Sequence, residues 1–338
     1  MLKVKQLGVA AAIALFASAA MASNFRAADQ VYVPAAGHIV GANATFVSDL
    51  YISNLSDDAV DVSVIFAQTP AGTQTPFPKL LTLQPRERRE MLDFIGTTLH
   101  LTSGFGQLIF NGCKATQDCT PDPTTGLNSN FRNISVESRI YSFATGSNQA
   151  TAPTNGQLFS GIPWYNFVSS AASGAGLDKI FITGIRNTPQ FKTNVGFVNA
   201  SQFSTTTLTA TLINGATGAT IATNTFTLSP LGFQQTTVGS ATLFPGFTQA
   251  TTSTNAYITV SQGNTQPTAD AAANQCPDGC PAFFAYGSQL DLQTQDATTL
   301  EAQYFLPLTN NAITCIYSPD VAACKSGTTI HRAVKHQF

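Results

Sequence analysis

The chain contains its own copy, and this duplication limits the fold more than any other feature of the sequence. Phe46 and Phe191, Asn54 and Asn199, and Pro85 and Pro230 each stand 145 positions apart. Their contexts match as well: Thr45-Phe46-Val47-Ser48-Asp49-Leu50-Tyr51-Ile52-Ser53-Asn54 runs against Gln190-Phe191-Lys192-Thr193-Asn194-Val195-Gly196-Phe197-Val198-Asn199. Leu81-Thr82-Leu83-Gln84-Pro85 likewise runs against Phe226-Thr227-Leu228-Ser229-Pro230. Further on, Leu108-Ile109-Phe110 aligns with Tyr257-Ile258-Thr259. Each copy then enters a loop holding a cysteine pair and leaves it through a hydrophobic strand, Ile134 to Tyr141 and Phe283 to Leu290. Self-similarity at a fixed offset means that one architecture serves twice.

Within each copy the period is two. Val60, Val62, Val64 and Phe66 alternate with Asp61 and Ser63, and Leu208, Ala210 and Leu212 alternate with Thr207, Thr209 and Thr211, the pattern of half-buried strands. These runs match at an offset of 146, since any odd slip would turn the inward set of one copy toward solvent. Asn214-Gly215 and Gly218 mark a hairpin turn, because both residue types tolerate positive φ. Arg86 to Ile95 holds good helix formers while its counterpart, Leu231 to Val238, does not. A strand ending near Met91, followed by a short turn capped by Asp93, satisfies both copies.

Composition agrees with an all-β fold. Charged residues make up 10% of the chain, against about 25% in an average soluble protein, and there are only four glutamates: Glu87, Glu90, Glu137 and Glu301. Thr, Val, Ile and Phe, which suit a pleated surface, are plentiful. The formal net charge of −2 provides no basic field for nucleic acid.

Lys3 and Lys5 followed by the apolar run Leu7 to Ala20, with Ala20-Met21-Ala22 before Ser23, read as a signal peptide cleaved after residue 22. No later segment is apolar enough to span a membrane, so the expected location is extracellular, cell-surface or periplasmic. Six cysteines form three local pairs: Cys113 with Cys119, Cys276 with Cys280, and Cys315 with Cys324. In an exported chain these read as disulfides; none has the Cys-x-x-Cys spacing of a zinc site. The predicted organisation is a signal peptide (1–22), a β-sandwich domain (23–160), a linker (161–178), a second β-sandwich domain (179–308) and a tail with a cysteine pair (309–338). The linker carries Trp164, Tyr165 and Phe167, either an exposed binding patch or the packing between the domains.

No motif points to catalysis. His38, His100, His331 and His336 form no metal-binding pair, and no nucleophile elbow or phosphate loop is present. A glycosidase needs two opposed carboxylates, for which Glu137 with Asp49, Asp93 or Glu301 are the candidates, although Glu137 shares a strand face with Arg139. Asp57-Asp58, Asp118 with Asp122, and Asp291 with Asp296 are loop carboxylates that suit either calcium or the capping of their own turns. The reading is of no catalytic residues, no metal and no cofactor.

On Lys192-Thr193-Asn194-Val195-Gly196-Phe197-Val198-Asn199, Leu228-Ser229-Pro230, Glu137-Ser138-Arg139-Ile140-Tyr141, and Ser288-Gln289-Leu290-Asp291 with Thr294 and Asp296, the chain resembles a loosely defined group of uncharacterised exported bacterial proteins. These have tandem immunoglobulin-like β-sandwich domains. The resemblance covers most of residues 31 to 306 and implies a fold, not an activity; the cysteine loops and the tail after Pro307 depart from it. The expectation is a secreted or cell-surface, non-enzymatic structural or adhesive protein, including a self-assembling filament or surface-layer subunit. Its partner would be a protein or polysaccharide at the cell surface, or the chain itself. The alternative is a carbohydrate-binding module or secreted glycoside hydrolase.

Overall fold

Strands dominate, as the period-two patterning requires. The structure, a computed structural model, describes residues 27–304 apart from 69–72, 121–127, 165–167, 170–178, 202–204, 241, 246–252 and 264–281. The predicted signal peptide, the tail, Tyr165, Phe167, and the pairs Cys276 with Cys280 and Cys315 with Cys324 lie outside the described residues.

The first half holds β1 (Gln30–Val40), β2 (Ala44–Asn54), β3 (Val60–Gln68), β4 (Thr73–Leu83), β5 (Arg88–Met91), β6 (Gly104–Lys114), β7 (Ile134–Ala144), β8 (Asn155–Ser160) and β9 (Ile162–Pro163). After β10 (Val168–Ser169), the second half holds β11 (Lys179–Asn187), β12 (Phe191–Asn199), β13 (Thr206–Asn214), β14 (Thr220–Leu228), β15 (Phe233–Thr237), β16 (Ser253–Gln262), β17 (Ala282–Asp291) and β18 (Ala297–Tyr304). A five-residue π turn, Phe94–Thr98, follows β5 and is capped by Asp93 as expected, with the Gly96 N–H donating to its side chain.

The two halves repeat one antiparallel topology, and each is sandwich-like. In the first, β4-β3-β6-β1 faces a layer of β5-β2-β7-β8; in the second, β14-β13-β16-β11 faces β15-β12-β17-β18. The strand closing each half changes layers. β8 pairs with β7 and then β9 pairs with β1, while β18 pairs first with β17 and then with β11. Leu50, Ile52, Val62, Val64, Phe66, Leu108, Phe110 and Val136 fill the first core. Val195, Phe197, Leu208, Ala210, Leu212, Ile258, Val260 and Ala285 fill the second.

The duplicated anchors occupy identical roles. The Asn54 side chain donates to the carbonyls of Asp58 and Gln84 and accepts from the Ser56 N–H. Asn199 donates to those of Leu228 and Ser229 and accepts from the Ser201 N–H. Behind each lies a proline-led turn whose third residue has positive φ, Arg86 at 60° and Leu231 at 50°.

One alignment needs correction. Leu108 and Phe110 point into the first core, and their counterparts in the second are Ile258 and Val260, an offset one residue longer than the sequence match of Leu108 with Tyr257. Ile109 is apolar for a different reason, which is that its face is buried too. It belongs to a third cluster joining Tyr32, Ala35, Ile65, Ala67 and Phe159 of the first half to Val198, Ala200, Leu231, Phe233, Phe284 and Tyr286 of the second. The outer face of the β4-β3-β6-β1 layer therefore packs on the outer face of the β15-β12-β17-β18 layer, giving four sheet layers with apolar packing in all three gaps.

Three edge-to-face ring pairs cross this middle gap: Tyr32 with Phe284, Phe105 with Phe233, and Phe159 with Tyr286. The Gln107 side chain, fully buried, donates across it to the carbonyls of Asn199 and Leu231. Sheet faces thus join the halves. Trp164 packs against the first half's own core and donates its indole N–H to Asp29 (2.8 Å). The linker is also tied down at two points in its first half, since β9 pairs with β1 and β10 with β17.

Candidate functional site

Two copies of one scaffold supply an internal control: side chains common to both are explained by the fold, and those that differ point to what each copy does besides folding. The sharpest difference lies on the outer face of the β5-β2-β7-β8 layer. By strand register, Tyr51, Arg88, Glu90, Glu137 and Arg139 there stand where the second half has Gly196, Phe233, Gln235, Tyr286 and Ser288. The second-half face is covered by the first half. The first-half face has no half packed on it; the loop between β7 and β8 covers its Tyr141 end through Gln149 and Thr154, and the rest carries two of the chain's four glutamates.

At the end of this face is a hydrogen-bonded group built from β1, β2, β7 and the turn after β5. Asp49, 4% exposed on β2, accepts at one oxygen from the Asp93 N–H (2.9 Å) and from the Tyr141 hydroxyl on β7 (3.0 Å). Burial raises its carboxyl above the ordinary aspartate range. Gln149 donates to the Tyr141 oxygen (2.6 Å). Burial pushes this phenol up to about 12, with the neighbouring Asp49 charge adding to the shift, so it remains a donor. Asp93 has left-handed backbone geometry (φ 43°), uncommon for a residue with a Cβ, and its carboxylate meets His38 Nδ1 at 2.9 and 3.0 Å.

The ring is held through Nδ1, which leaves Nε2 as the position without a contact to Asp93. Gly96 is required beside the pair: a Cβ there would lie 2.7 Å from His38 Nδ1. The bend holding His38 is itself repeated, because Ser48 Oγ accepts from the Gly37 N–H as Thr193 Oγ1 does from the Arg186 N–H. The ionisable side chains are not repeated. Asn187, Asn194, Val238 and Leu290 occupy the positions of His38, Asp49, Asp93 and Tyr141.

Along the rest of the face, cations cover aromatic rings. The Arg139 guanidinium lies 4.5 Å from the Tyr141 ring centroid, and that of Arg88 lies 5.3 Å from the Tyr51 centroid. Arg139 also donates to Thr154 Oγ1 (2.8 Å). Among the described residues no serine, threonine or cysteine hydrogen-bonds the His38 ring, so the group has an oriented imidazole without an attached nucleophile. Asp49 spends an oxygen on Asp93 and Tyr141, while Glu301 belongs to β18 in the other half.

Of the loop carboxylates, Asp122 lies outside the described residues, and Asp57, Asp58, Asp118 and Asp291 are engaged in structural contacts. Asp57 bonds to Arg86, and Asp58 pairs with Lys114 and Arg132, which hold its carboxyl below the usual range. Asp118 accepts from Thr120, and Asp291 accepts from the N–H groups of Gln293 and Thr294, the turn-capping role. Among the described residues no group of three or more His, Cys, Asp or Glu side chains is arranged to hold a metal ion. Cys113 and Cys119 form a disulfide at the mouth of their loop.

Sequence reasoning missed the His38–Asp93 pair, whose members are 55 residues apart. No protein-family model matches the chain, and no curated protein matches it.

Proposed function

We propose that this is an exported, non-enzymatic surface module: two immunoglobulin-like domains fused through their sheet faces, which uses the uncovered β5-β2-β7-β8 face to hold a polar partner. A cell-surface polysaccharide fits that face best. The observation that carries the reading is the contrast between copies, since the same face is apolar where it is buried and rich in Tyr, Arg and carboxylate where it is not. Guanidinium and carboxylate groups held in fixed positions, with Arg88 and Arg139 stacked on Tyr51 and Tyr141, suit a ligand rich in hydroxyls. The Cys113–Cys119 disulfide suits an oxidising compartment, in line with a leader cleaved after Ala22.

The test is a panel of bacterial surface polysaccharides measured by titration calorimetry against the mature chain and a Tyr51→Ala/Arg139→Ala variant. Expected is binding to at least one member, weakened tenfold or more in the variant at unchanged melting temperature. A panel without binding, or binding indifferent to the variant, removes the reading. Turnover of any bound polysaccharide would replace it with the hydrolase alternative.

A further inference from the structure

The two copies also differ at corresponding sheet edges. β4 and β14 are the terminal strands of corresponding layers, and an exposed edge presents unpaired N–H and C=O groups that invite another strand unless it is blocked. β4 is blocked. It carries Pro76, Pro78 and Lys79, whereas a register shift is common to both edges, between Val62 and Val64 on β3 and between Leu212 and Ile213 on β13. β14, Thr-Ile-Ala-Thr-Asn-Thr-Phe-Thr-Leu, has no proline and no charge, and most of it is exposed. Among the described residues no strand pairs with its outer side.

Pro76 reveals the geometry of this edge. It stands opposite Ile65, as Thr223 stands opposite Thr211 at the same position of the repeat. A proline is accommodated there because its nitrogen is turned away from β3, so the Thr223 N–H is turned outward in the same way. In an antiparallel ladder alternate residues share that direction; along the regular part of the pairing, which ends at the register shift beside Ile221, the outward groups of β14 therefore belong to Thr223, Thr225 and Thr227.

We infer that β14 pairs antiparallel with β14 of a second copy about a two-fold axis at Asn224. The strand is complementary to itself in this register. Thr223 meets Thr225 of the other copy through outward-facing backbone groups, and on the core side Ala222 meets Phe226, small against large. The Thr–Thr contacts it would make already recur between β13 and β14, at 3.4, 3.0 and 3.3 Å for Thr207–Thr227, Thr209–Thr225 and Thr211–Thr223. No like charges meet, and the interface is isologous and closed, so it yields dimers and not fibres. This inference is independent of the polysaccharide face, which lies on the opposite outermost layer.

The test is sedimentation equilibrium of the oxidised full chain from the low micromolar to the millimolar range, with hydrogen exchange read on residues 220–228. Expected is a reversible monomer–dimer equilibrium, with protection of that segment rising with concentration. Thr223→Pro, which copies the β4 device, should weaken association at least tenfold at unchanged melting temperature. A wild-type chain that stays monomeric at the highest concentration overturns the proposal, including the case in which only a foreign strand occupies the edge. Dimerisation undiminished by Thr223→Pro overturns it as well. Should that variant melt early, Thr225→Lys, which places two like charges near the axis, takes its place, and its full retention of the dimer is equally fatal.

Discussion

Asp49 is the residue at which burial and chemistry conflict most directly. Its carboxylate is taken out of water and receives two hydrogen bonds in return, and desolvation prevails, so its folded pKa lies above the ordinary 3.8. A carboxyl that holds its proton more tightly when folded favours the folded state below its unfolded pKa. That contribution is lost as pH rises through the raised folded value. Asp49→Asn keeps an oxygen to accept from the Asp93 N–H and Tyr141 O–H while removing the charge. The stability of the wild type relative to this variant should therefore be greatest in acid, fall as pH rises through and somewhat above the aspartate range, and stay flat beyond it. Urea unfolding of both proteins across pH 3 to 8 (about the range in which acidic groups and histidine titrate) measures this difference. A difference that grows with pH would mean that the two hydrogen bonds outweigh burial.

At the scale of elements, the repeated unit is a clamp in which a buried asparagine at the end of one strand holds the proline-led turn after another. Asn199→Ala would strip the carbonyls of Leu228 and Ser229 and the N–H of Ser201 of their partners. Unsatisfied buried groups cost about 1–3 kcal/mol each, so for three groups a loss of about 3 kcal/mol or more in denaturant unfolding is expected. The clamp was legible in the sequence because Asn54 with Asn199 and Pro85 with Pro230 are identical residues in identical roles. The positive φ that accompanies it was not, because Arg86 and Leu231 share no chemistry. Alternation in Val60 to Phe66 located the first core correctly. The runs Val64-Ile65-Phe66-Ala67 and Phe283-Phe284-Ala285-Tyr286 carried the further sign of strands buried on both faces, which a search for alternation passes over. The His38–Asp93–Asp49–Tyr141 group had no local signature at all, being assembled where β1 passes from pairing with β6 to pairing with β2 and by the turn after β5. Its members become conspicuous only once strand register shows Asn187, Val238, Asn194 and Leu290 in the other copy.

At the scale of the whole molecule, the two outermost faces are polar versions of the two faces buried in the middle. Where the buried β4-β3-β6-β1 face carries Ile65 and Ile109, the outer β14-β13-β16-β11 face carries Thr211 and Thr259 at the same register positions. Head-to-tail stacking that could in principle continue is stopped at both ends by polar substitution, as terminal repeats must be for solubility. This weighs against a filament grown by repeating the internal contact. It also means that neither half presents a solvent-compatible surface alone, so the halves should unfold together. Phe284 is 1% exposed and packs edge-on to Tyr32 across the middle gap. Phe284→Ala should cost about 3–5 kcal/mol, the usual range for a buried phenylalanine. Because the contact is shared, calorimetry should show one transition moved to lower temperature for the whole molecule. The first half expressed alone, residues 23–163, should self-associate through its bared Tyr32, Ile65 and Ile109 face. Two resolved transitions in the intact chain, or a monomeric first half as stable as the whole, would show that the middle gap joins two independent units and that the coupling argued from its three ring pairs is absent.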